Sequence, residues 1–242
     1  MNQPLAYVHP DAKIAGNVVI EPFVTIHKDV EIGEGTWIAS NVTIMEGSRI
    51  GKNCKIFPGA VIGAVPQDLK FQGEKTLAVI GDNTTIRECV TVNRGTAAKN
   101  KTIIGSNCLL MAYVHIAHDC MVSDNAILVN GVNLGGEVII DEYAILSANT
   151  LVHQFCRVGA HTILAGGSLV GKDVPPYIKA ARYPLSYAGV NSIGLRRRGF
   201  CNKKISAIQE IYRHLYNKGL NNSQAVEYIE AELPASNERD EI

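Results

Sequence analysis

The chain of 242 residues is long enough to bury a substantial core, and its 23 Lys and Arg balance its 23 Asp and Glu. This balance gives no overall field that would attract nucleic acid or an anionic membrane. The N-terminus has no basic segment followed by an apolar run, and no apolar run approaches the roughly 18 residues of a spanning helix. The six cysteines form no C-x-x-C pair, which favours reduced, buried side chains. We therefore expect a soluble cytoplasmic protein that binds no nucleic acid.

A six-residue aliphatic repeat runs through most of the chain. In the frame that starts at Val8 and ends at Val170, 25 of 28 positions carry Val, Ile or Leu. A period of six fits neither a helix nor one long strand, but it fits short strands that each point one aliphatic side chain inward. Three such segments would close a triangular coil, and successive coils would pair as parallel strands about 4.8 Å apart. The pattern therefore predicts a parallel β-solenoid with three repeats in each coil.

Two interruptions and the corner residues add detail to this prediction. The residue after the aliphatic is often Gly or Ala, as at Gly33 and Gly135, which suits a tight turn or a positive φ. Residues 64–79 and 94–103 break the repeat but leave its frame intact on the far side. We interpret both segments as loops that leave the solenoid at corners, where functional residues are common.

The character of the sequence changes after the repeat. Pro175 and Pro176 end the solenoid because consecutive prolines cannot supply the hydrogen bonds of a strand ladder. Asn202 is predicted to cap a helix, and Ser223 a second one. The tail from Pro234 is polar and predicted to fray.

The segment 114–120 contains His115 and His118, with Asp119 beside the second histidine. Because three repeats make one coil, the residue stacked on His118 is Gly136, which leaves its backbone N–H open to a ligand beside the imidazole. A histidine base next to a fixed N–H donor is the minimum for acyl transfer, and Asp119 could orient that base. The alternative is that His118 is an ordinary surface residue of the solenoid with no role in catalysis.

Other chemistries remain open from the residues alone. His115 and His153 could join His118 at a metal, but an i, i+3 pair on a β-coil does not converge as it does on a helix. Cys120 with His118 could form a nucleophile pair, although no third group orients it. The arginines at 196–198 could hold a nucleotide diphosphate, an acidic partner protein or both, or could form a solvated helix face.

A series of motifs in fixed order resembles one family. The motifs are Gln67-Asp68-Leu69-Lys70, Asn93-Arg94-Gly95-Thr96, His115-Ile116-Ala117-His118-Asp119-Cys120, Val152-His153-Gln154-Phe155-Cys156, Gly189-Val190-Asn191 and Arg197-Arg198-Gly199-Phe200. Together with the repeat they resemble, over nearly the whole chain, the acyl-[acyl-carrier-protein]–UDP-N-acetylglucosamine O-acyltransferases of lipid A biosynthesis. The resemblance implies a mainly β fold: a left-handed parallel β-helix of hexapeptide repeats over 1–188, with loops at 64–79 and 94–103. A small C-terminal α-helical domain would follow over 189–242.

The resemblance also implies the reaction. An (R)-3-hydroxyacyl chain would pass from acyl carrier protein to the 3-hydroxyl of UDP-N-acetylglucosamine, without a metal or a cofactor, because the acyl-phosphopantetheine is itself a substrate. His118 matches the family's general base, Asp119 the residue coupled to it, and Gly136 the oxyanion-hole glycine. The family is a homotrimer with active sites between adjacent solenoids.

Further residues match the family's substrate contacts. Positions that contact the sugar nucleotide or the acyl-pantetheine arm are matched by Asp68, Lys70, His115, His153, Gln154, Asn191, Arg197 and Arg198. Gly166, with Ile163 nearby, matches the position that limits acyl length. The chain departs from the family at Glu137 and Asn93, where histidine is frequent, and at Ile193, which replaces a glutamate.

Two rival functions are weaker on these residues. The related N-acyltransferase of the same pathway carries an extra N-terminal domain, whereas the repeat here begins by Val8. A catalytically silent scaffold would not need His118, Gly136 and the arginine cluster together.

Overall fold

The computed structural model describes residues 4–242, so the first three residues of the predicted β-helical domain lie outside it. Within this range the chain forms short strands in three sheets, and four helices follow. Except at the C-terminal end of the third sheet, each sheet takes every third strand, and Thr25 pairs in parallel with Thr43, 18 positions later. The predicted solenoid with three repeats in each coil is confirmed.

The strands are short because each coil turns at every sixth residue. The first sheet contains β1 (Tyr7–Val8), β4 (Thr25–Ile26), β7 (Thr43–Ile44), β10 (Val61–Ala64), β13 (Thr91–Asn93), β16 (His115–Ile116), β19 (Asn133–Leu134), β22 (Leu151–Val152) and β25 (Leu169–Val170). The second contains β2 (Lys13–Ile14), β5 (Glu31–Ile32), β8 (Ser48–Ile50), β11 (Leu77–Ile80), β14 (Lys101–Ile104), β17 (Met121–Val122), β20 (Ile139–Ile140) and β23 (Arg157–Val158). The third contains β3 (Val19–Ile20), β6 (Trp37–Ile38), β9 (Lys55–Ile56), β12 (Thr85–Ile86), β15 (Leu109–Leu110), β18 (Ile127–Leu128), β21 (Ile145–Leu146), β24 (Ile163–Leu164), β26 (Ile178–Ala181) and β27 (Ser186–Val190).

These sheets meet along three edges of the triangular solenoid. We call the edge between the first and second sheets the first edge, that between the second and third sheets the second edge, and the remaining one the third edge. The repeated aliphatic side chains fill the interior, and Ile44, Ile62 and Ile116 are completely buried. Burial of each such side chain contributes roughly 1.5–3 kcal/mol, so the stacked aliphatics are the main stabilising force of the solenoid.

The corner conformation differs from the prediction. Apart from Gly63, the positive φ falls three residues after the inward aliphatic, as at Asp119 after Ile116, and not at the small residue directly after it. Most of the glycines directly after the aliphatic instead allow two coils to approach closely. A Cβ on Gly33 would lie 2.7 Å from the carbonyl carbon of Gly51 in the next coil.

Both predicted loops are present, and their lengths explain why the frame survives them. Val61 pairs with Thr91, 30 positions later, and Thr91 pairs with His115, 24 positions later. Compared with a regular coil of three repeats, the first insertion therefore has the length of two further repeats and the second that of one. Because both insertions are whole numbers of repeats, every aliphatic beyond them returns to the interior.

The C-terminal region contains α1 (Ser192–Arg197), α2 (Asn202–Asn217), α3 (Asn222–Glu232) and α4 (Asn237–Glu241). The predicted boundary at 188 falls within β27, which pairs antiparallel with β26. Ile205, Ile208 and Tyr212 form the buried face of α2, and the Tyr212 hydroxyl donates to the carbonyl of Pro176 at 2.6 Å. The helical region is thus packed on the end of the solenoid.

Three details of the helix prediction are wrong. The N-cap of α2 is Cys201, without a side-chain hydrogen bond, and Asn202 is its first residue. Helix α3 is capped by Asn221, whose side chain forms a reciprocal capping box with Gln224, so Ser223 is already helical. The tail does not fray as predicted, because Ser236 caps α4 and Tyr177 donates a hydrogen bond to Glu241. Over residues 4–242 the structure contains no helix with the length and apolar character to cross a bilayer.

Candidate active site

His118 lies at the first edge, in the corner between β16 and β17. Ile116 points into the core, which fixes the register of the corner residues. Asp119 has a φ of 59°, a left-handed conformation that Asp adopts more readily than most residues. In an extended strand the two neighbouring side chains would point to opposite faces, but this turn brings them together.

The imidazole and the carboxylate form a hydrogen-bonded pair. His118 Nδ1 lies 2.9 Å from Asp119 Oδ2. The Asp119 carboxylate is buried and also accepts from the backbone N–H and the hydroxyl of Thr96, at 2.9 and 2.6 Å. An ionised carboxylate can only accept, so His118 donates from Nδ1 and presents the Nε2 lone pair outward. The His118 side chain is 19% exposed, so this nitrogen can meet a substrate.

Gly136 lies against the imidazole in the next coil, as the stacking of three-repeat coils predicts. A Cβ at this position would be 2.6 Å from both His118 Nε2 and Cε1, so only glycine leaves room for the ring. The neighbouring Glu137 N–H donates to the His118 carbonyl. Within the described part of the chain the Gly136 N–H has no hydrogen-bond acceptor.

The first loop places Asp68 near the outer nitrogen of the ring. Asp68 Oδ2 is 4.0 Å from His118 Nε2, and its Oδ1 accepts from the Lys70 backbone N–H, while the Lys70 side chain is exposed. Phe71 in the same loop packs under the guanidinium of the buried Arg94, with 5.4 Å between the guanidinium carbon and the ring centroid. The loop is therefore anchored to the solenoid while Asp68 faces the imidazole.

Three more predicted residues lie along the first sheet and the first edge. His115 Nδ1 is 2.7 Å from the Thr91 hydroxyl of the preceding coil, and burial lowers the pKa of His115. His153 and Gln154 are exposed in the corner after β22. Gln154 follows Gly136 at the spacing of one coil, so His118, Gly136 and Gln154 form one column of side chains and backbone.

The arginine cluster lies at the second edge. Asn191 caps α1, accepts from the Gly194 N–H, and donates to the carbonyl of His161 in the corner between β23 and β24. Arg198 lies over the ring of Tyr143, donates to the Tyr143 carbonyl at 3.0 Å, and has its pKa lowered by burial. Arg197 is exposed and has no partner among residues 4–242. Both polar side-chain atoms of Asn191 therefore form a hydrogen bond within the chain, whereas the Arg197 guanidinium has no partner within the part of the chain that the structure describes.

The two predicted acyl-length residues lie on the third sheet and at the third edge. Ile163 points outward from β24, and Gly166 follows that strand, its would-be Cβ 3.4 Å from the Ala148 carbonyl oxygen. One copy of the chain thus brings together His118, Asp119, Gly136 and Asp68. It does not bring Asn191, the arginines, Ile163 or Gly166 to them.

The structure also bears on the other chemistries open from sequence. Cys120 is buried, its thiol donates to the Gly135 carbonyl at 3.0 Å, and burial raises its pKa to about 12, all of which disfavours a nucleophilic thiolate. Of the six free cysteines, Cys89 and Cys201 are exposed, contrary to the expectation that all are buried. Across residues 4–242 no three His, Cys, Asp or Glu side chains are grouped to hold a metal ion.

Comparison with known proteins supports the resemblance on several grounds. Residues 173–242 match the model of the second domain of UDP-N-acetylglucosamine O-acyltransferases, and residues 101–136 match the bacterial transferase hexapeptide model. The acyl-[acyl-carrier-protein]–UDP-N-acetylglucosamine O-acyltransferase of Janthinobacterium sp. (strain Marseille) is 45% identical over 95% of this chain and 88% of its own length. The chain belongs to this family. It is an acyltransferase, and the predicted left-handed parallel β-helix with a small C-terminal helical region is confirmed.

Solved structures of the family agree with this fold along the whole chain. The UDP-N-acetylglucosamine acyltransferase of Bacteroides fragilis is 56% identical, covers 100% of this chain and 95% of its own, and superposes with a TM-score of 0.98. The Francisella novicida enzyme is 48% identical over 95% of this chain and 85% of its own, with a TM-score of 0.93.

Sequence reasoning missed the residues that hold Asp119. Thr96 and Thr102 both lie in or beside the second loop, and both hydrogen bond to Asp119. The only signal was indirect: Thr96 ends the Arg94-Gly95-Thr96 segment that contributes to the family resemblance. Its contact with Asp119 depends on the path of an irregular loop, which the repeat does not encode.

Proposed function

We propose that the protein transfers an (R)-3-hydroxyacyl chain from acyl carrier protein to the 3-hydroxyl of UDP-N-acetylglucosamine, the first step of lipid A biosynthesis. The observation that carries the proposal is the His118–Asp119 pair beside the free N–H of Gly136. The names of the relatives support the two substrates. We further propose a cytoplasmic location, where the six free cysteines would stay reduced.

The geometry supports a one-base mechanism. His118 Nε2 takes the proton from the sugar hydroxyl as its oxygen attacks the thioester carbonyl carbon. The Gly136 N–H donates to the oxyanion of the tetrahedral intermediate. When the intermediate collapses, the carbon–sulfur bond breaks and the imidazolium returns the proton to the pantetheine thiolate. Asp119 keeps the ring in the required tautomer and stabilises the imidazolium. No cofactor is needed, because the acyl-phosphopantetheine supplies the activated acyl group.

We propose that a homotrimer completes the site. The predicted substrate residues of one chain lie at three different edges, so the second or third edge of an adjacent solenoid must face the first edge for them to meet. In that arrangement Asp68, Lys70, His115, His153 and Gln154 would come from one copy. Arg197 and Arg198 would come from another, with Asn191 holding their helix in place. Ile163 and Gly166 would limit acyl length.

The test is an assay of the purified protein with UDP-N-acetylglucosamine and a panel of acyl carrier protein thioesters. The panel varies chain length and includes acyl groups with and without the 3-hydroxyl. We expect transfer only from 3-hydroxyacyl thioesters, and a loss of about a thousandfold in kcat for His118→Ala, the scale of general base catalysis. His27→Ala, which also follows a strand of the first sheet but lies four coils earlier, is the matched control. Absence of transfer from every thioester, or near-normal rates in His118→Ala, would refute the proposal.

A further inference from the structure

We infer that Thr96 is a positioning residue for the reaction: its hydroxyl holds the Asp119 carboxylate and thereby selects the His118 tautomer that acts as a base. The catalytic meaning of this inference rests on the proposed function, but its structural content does not. Thr96 is buried in the second loop, and it touches Asp119 through two separate atoms.

The direction of each hydrogen bond is fixed by its neighbours. The Ala98 N–H donates to Thr96 Oγ1 at 3.2 Å, so this oxygen already accepts and its own hydrogen points to Asp119 Oδ2 at 2.6 Å. The Thr96 N–H donates to Asp119 Oδ1. Oδ2 therefore receives two donors, the Thr96 hydroxyl and His118 Nδ1, and Oδ1 receives one. A carboxylate with three donors in different directions cannot rotate without breaking a charge-assisted bond.

This corner is built differently from most other corners of the solenoid. At a regular corner the residue with positive φ donates its N–H to a backbone carbonyl in the preceding coil, as Asn125 does to Ser106 and Tyr143 to Asp124. Asp119 instead donates its N–H to the Thr102 hydroxyl at 2.8 Å. The second insertion therefore replaces the usual coil-to-coil bond with contacts of its own. The Thr102 hydroxyl accepts from the Asp119 N–H, and the backbone N–H and hydroxyl of Thr96 donate to the two carboxylate oxygens.

The loop that carries Thr96 is itself tightly held. The Gly95 N–H donates to the Leu77 carbonyl, and the Asn100 N–H donates to the Thr96 carbonyl at 2.8 Å. A Cβ on Gly95 would lie 2.3 Å from the Lys101 nitrogen, so the two sides of the loop are in close contact. Thr96 therefore presents its hydroxyl from a fixed position, as a group that orients a catalytic base must.

The test compares Thr96→Val, which removes the hydroxyl at nearly constant shape, with Thr96→Ser, which keeps it. We expect Thr96→Val to lower kcat by about tenfold to a hundredfold, the scale of one hydrogen bond to a charged group, with both KM values nearly unchanged. Thr96→Ser should stay close to the wild-type kcat. Thr85→Val, on the outer face of the third sheet, is a control for the loss of an ordinary threonine hydroxyl.

A second measurement is independent of activity. In protein with ¹⁵N-labelled histidine, the His118 ring, assigned by its loss in His118→Gln, should carry its proton on Nδ1 in the wild type and in Thr96→Ser. In Thr96→Val we expect a mixture of tautomers. If Thr96→Val does not fold, Thr96→Cys replaces it, because a thiol is a weaker donor. Wild-type kcat and an unchanged tautomer in the hydroxyl-free variant would overturn the inference, as would equal impairment in Thr96→Ser. A tautomer change in a protein that transfers no acyl group would refute the proposed function alone.

Discussion

Two edges of the solenoid each hold a histidine in a tight corner, and the two rings have opposite surroundings. At the first edge His118 is partly exposed and hydrogen bonds to a buried carboxylate. At the second edge His161 is buried between Tyr143 and Tyr177, with ring centroids 5.0 and 5.5 Å away. Burial, with a smaller contribution from Arg198, lowers the pKa of His161 to about 4, so this ring stays neutral.

The difference shows that the neighbouring coils, more than the corner itself, decide what a histidine does. His118 has a glycine in the next coil, so no side chain from that position covers its ring or Nε2, and the side chain stays partly exposed. His161 has aromatic rings on both sides and Phe200 against its edge, so no substrate can reach it. The first edge can therefore move a proton, whereas the second edge is a rigid support for Arg198, which lies over the outer Tyr143 ring.

The largest effect is expected from filling the space beside His118 with a side chain. Gly136→Ala adds a Cβ that would lie 2.6 Å from Nε2 and Cε1, and the ring must move away from the N–H donor. We expect kcat/KM to fall by at least about 100-fold, similar to the removal of an oxyanion-hole donor. Steady-state kinetics and circular dichroism measure activity and fold together.

Gly16→Ala is the matched control, because Gly16 has no heavy atom within 4 Å of its would-be Cβ and does not need a positive φ. It should keep full activity. A Gly136→Ala enzyme with unchanged kcat/KM would show that the space beside His118 is not used in the reaction.

The sequence predicted this part of the site because it follows from the repeat. Ile116 fixes the inward register, and a coil of three repeats places Gly136 beside His118. The residues alone suggested that Asp119 could orient His118, and the resemblance implied the coupling, although alternation along a strand would have pointed the two side chains apart. The left-handed corner conformation of Asp119 reverses that. The hydrogen bonds from Thr96 to Asp119 were not predictable, since they depend on how an irregular insertion folds back onto the solenoid.

The contacts at the second edge were not predicted from the sequence, for a different reason. Asn191 was predicted as a ligand contact, and in this chain its side chain caps α1 and donates to the His161 carbonyl, two contacts that the sequence did not predict. The stack of Tyr143, His161 and Tyr177 combines corner residues from successive coils. Tyr177 follows His161 by 16 positions instead of 18, because the coil that contains the two prolines is two residues shorter than a regular coil. A fixed period cannot locate a ring that lies outside the period.

A second prediction concerns the neutral ring. An ordinary histidine in the unfolded chain has a pKa near 6.5, whereas His161 in the fold has a pKa of about 4. Between these values the unfolded state binds a proton that the folded state does not, so stability is lost as the pH falls from about 6.5 toward 4. His161→Phe keeps the stack and removes this loss. Phe is compatible with the positive φ of 58°, as Phe155 at 68° shows.

We expect the difference in unfolding free energy between His161→Phe and the wild type to shift by about 2 kcal/mol in favour of the variant on going from neutral pH to about pH 4.5. Urea unfolding at both pH values measures it at equal protein concentration. The comparison at neutral pH isolates any packing cost of the substitution, since the histidine is then mostly neutral in both the folded and the unfolded state. A difference that does not change with pH would contradict the neutral, buried role of His161.

The smallest expected effect distinguishes the two arginines that flank the helix end at the second edge. Arg197 is exposed and unpartnered within residues 4–242, whereas Arg196 donates from Nε to the Asn202 side chain at 3.1 Å. If the second edge binds the nucleotide and does not react, Arg197→Ala should raise KM for the nucleotide sugar by about tenfold and leave kcat nearly unchanged. Arg196→Ala, a change of the same charge one residue away, should alter KM by no more than about twofold, the effect of an ordinary surface charge.

Equal effects of the two substitutions would mean that the region attracts its ligand only through its overall charge. A fall in kcat with unchanged KM in Arg197→Ala would place part of the chemistry at the second edge and end the division of roles between the two corners.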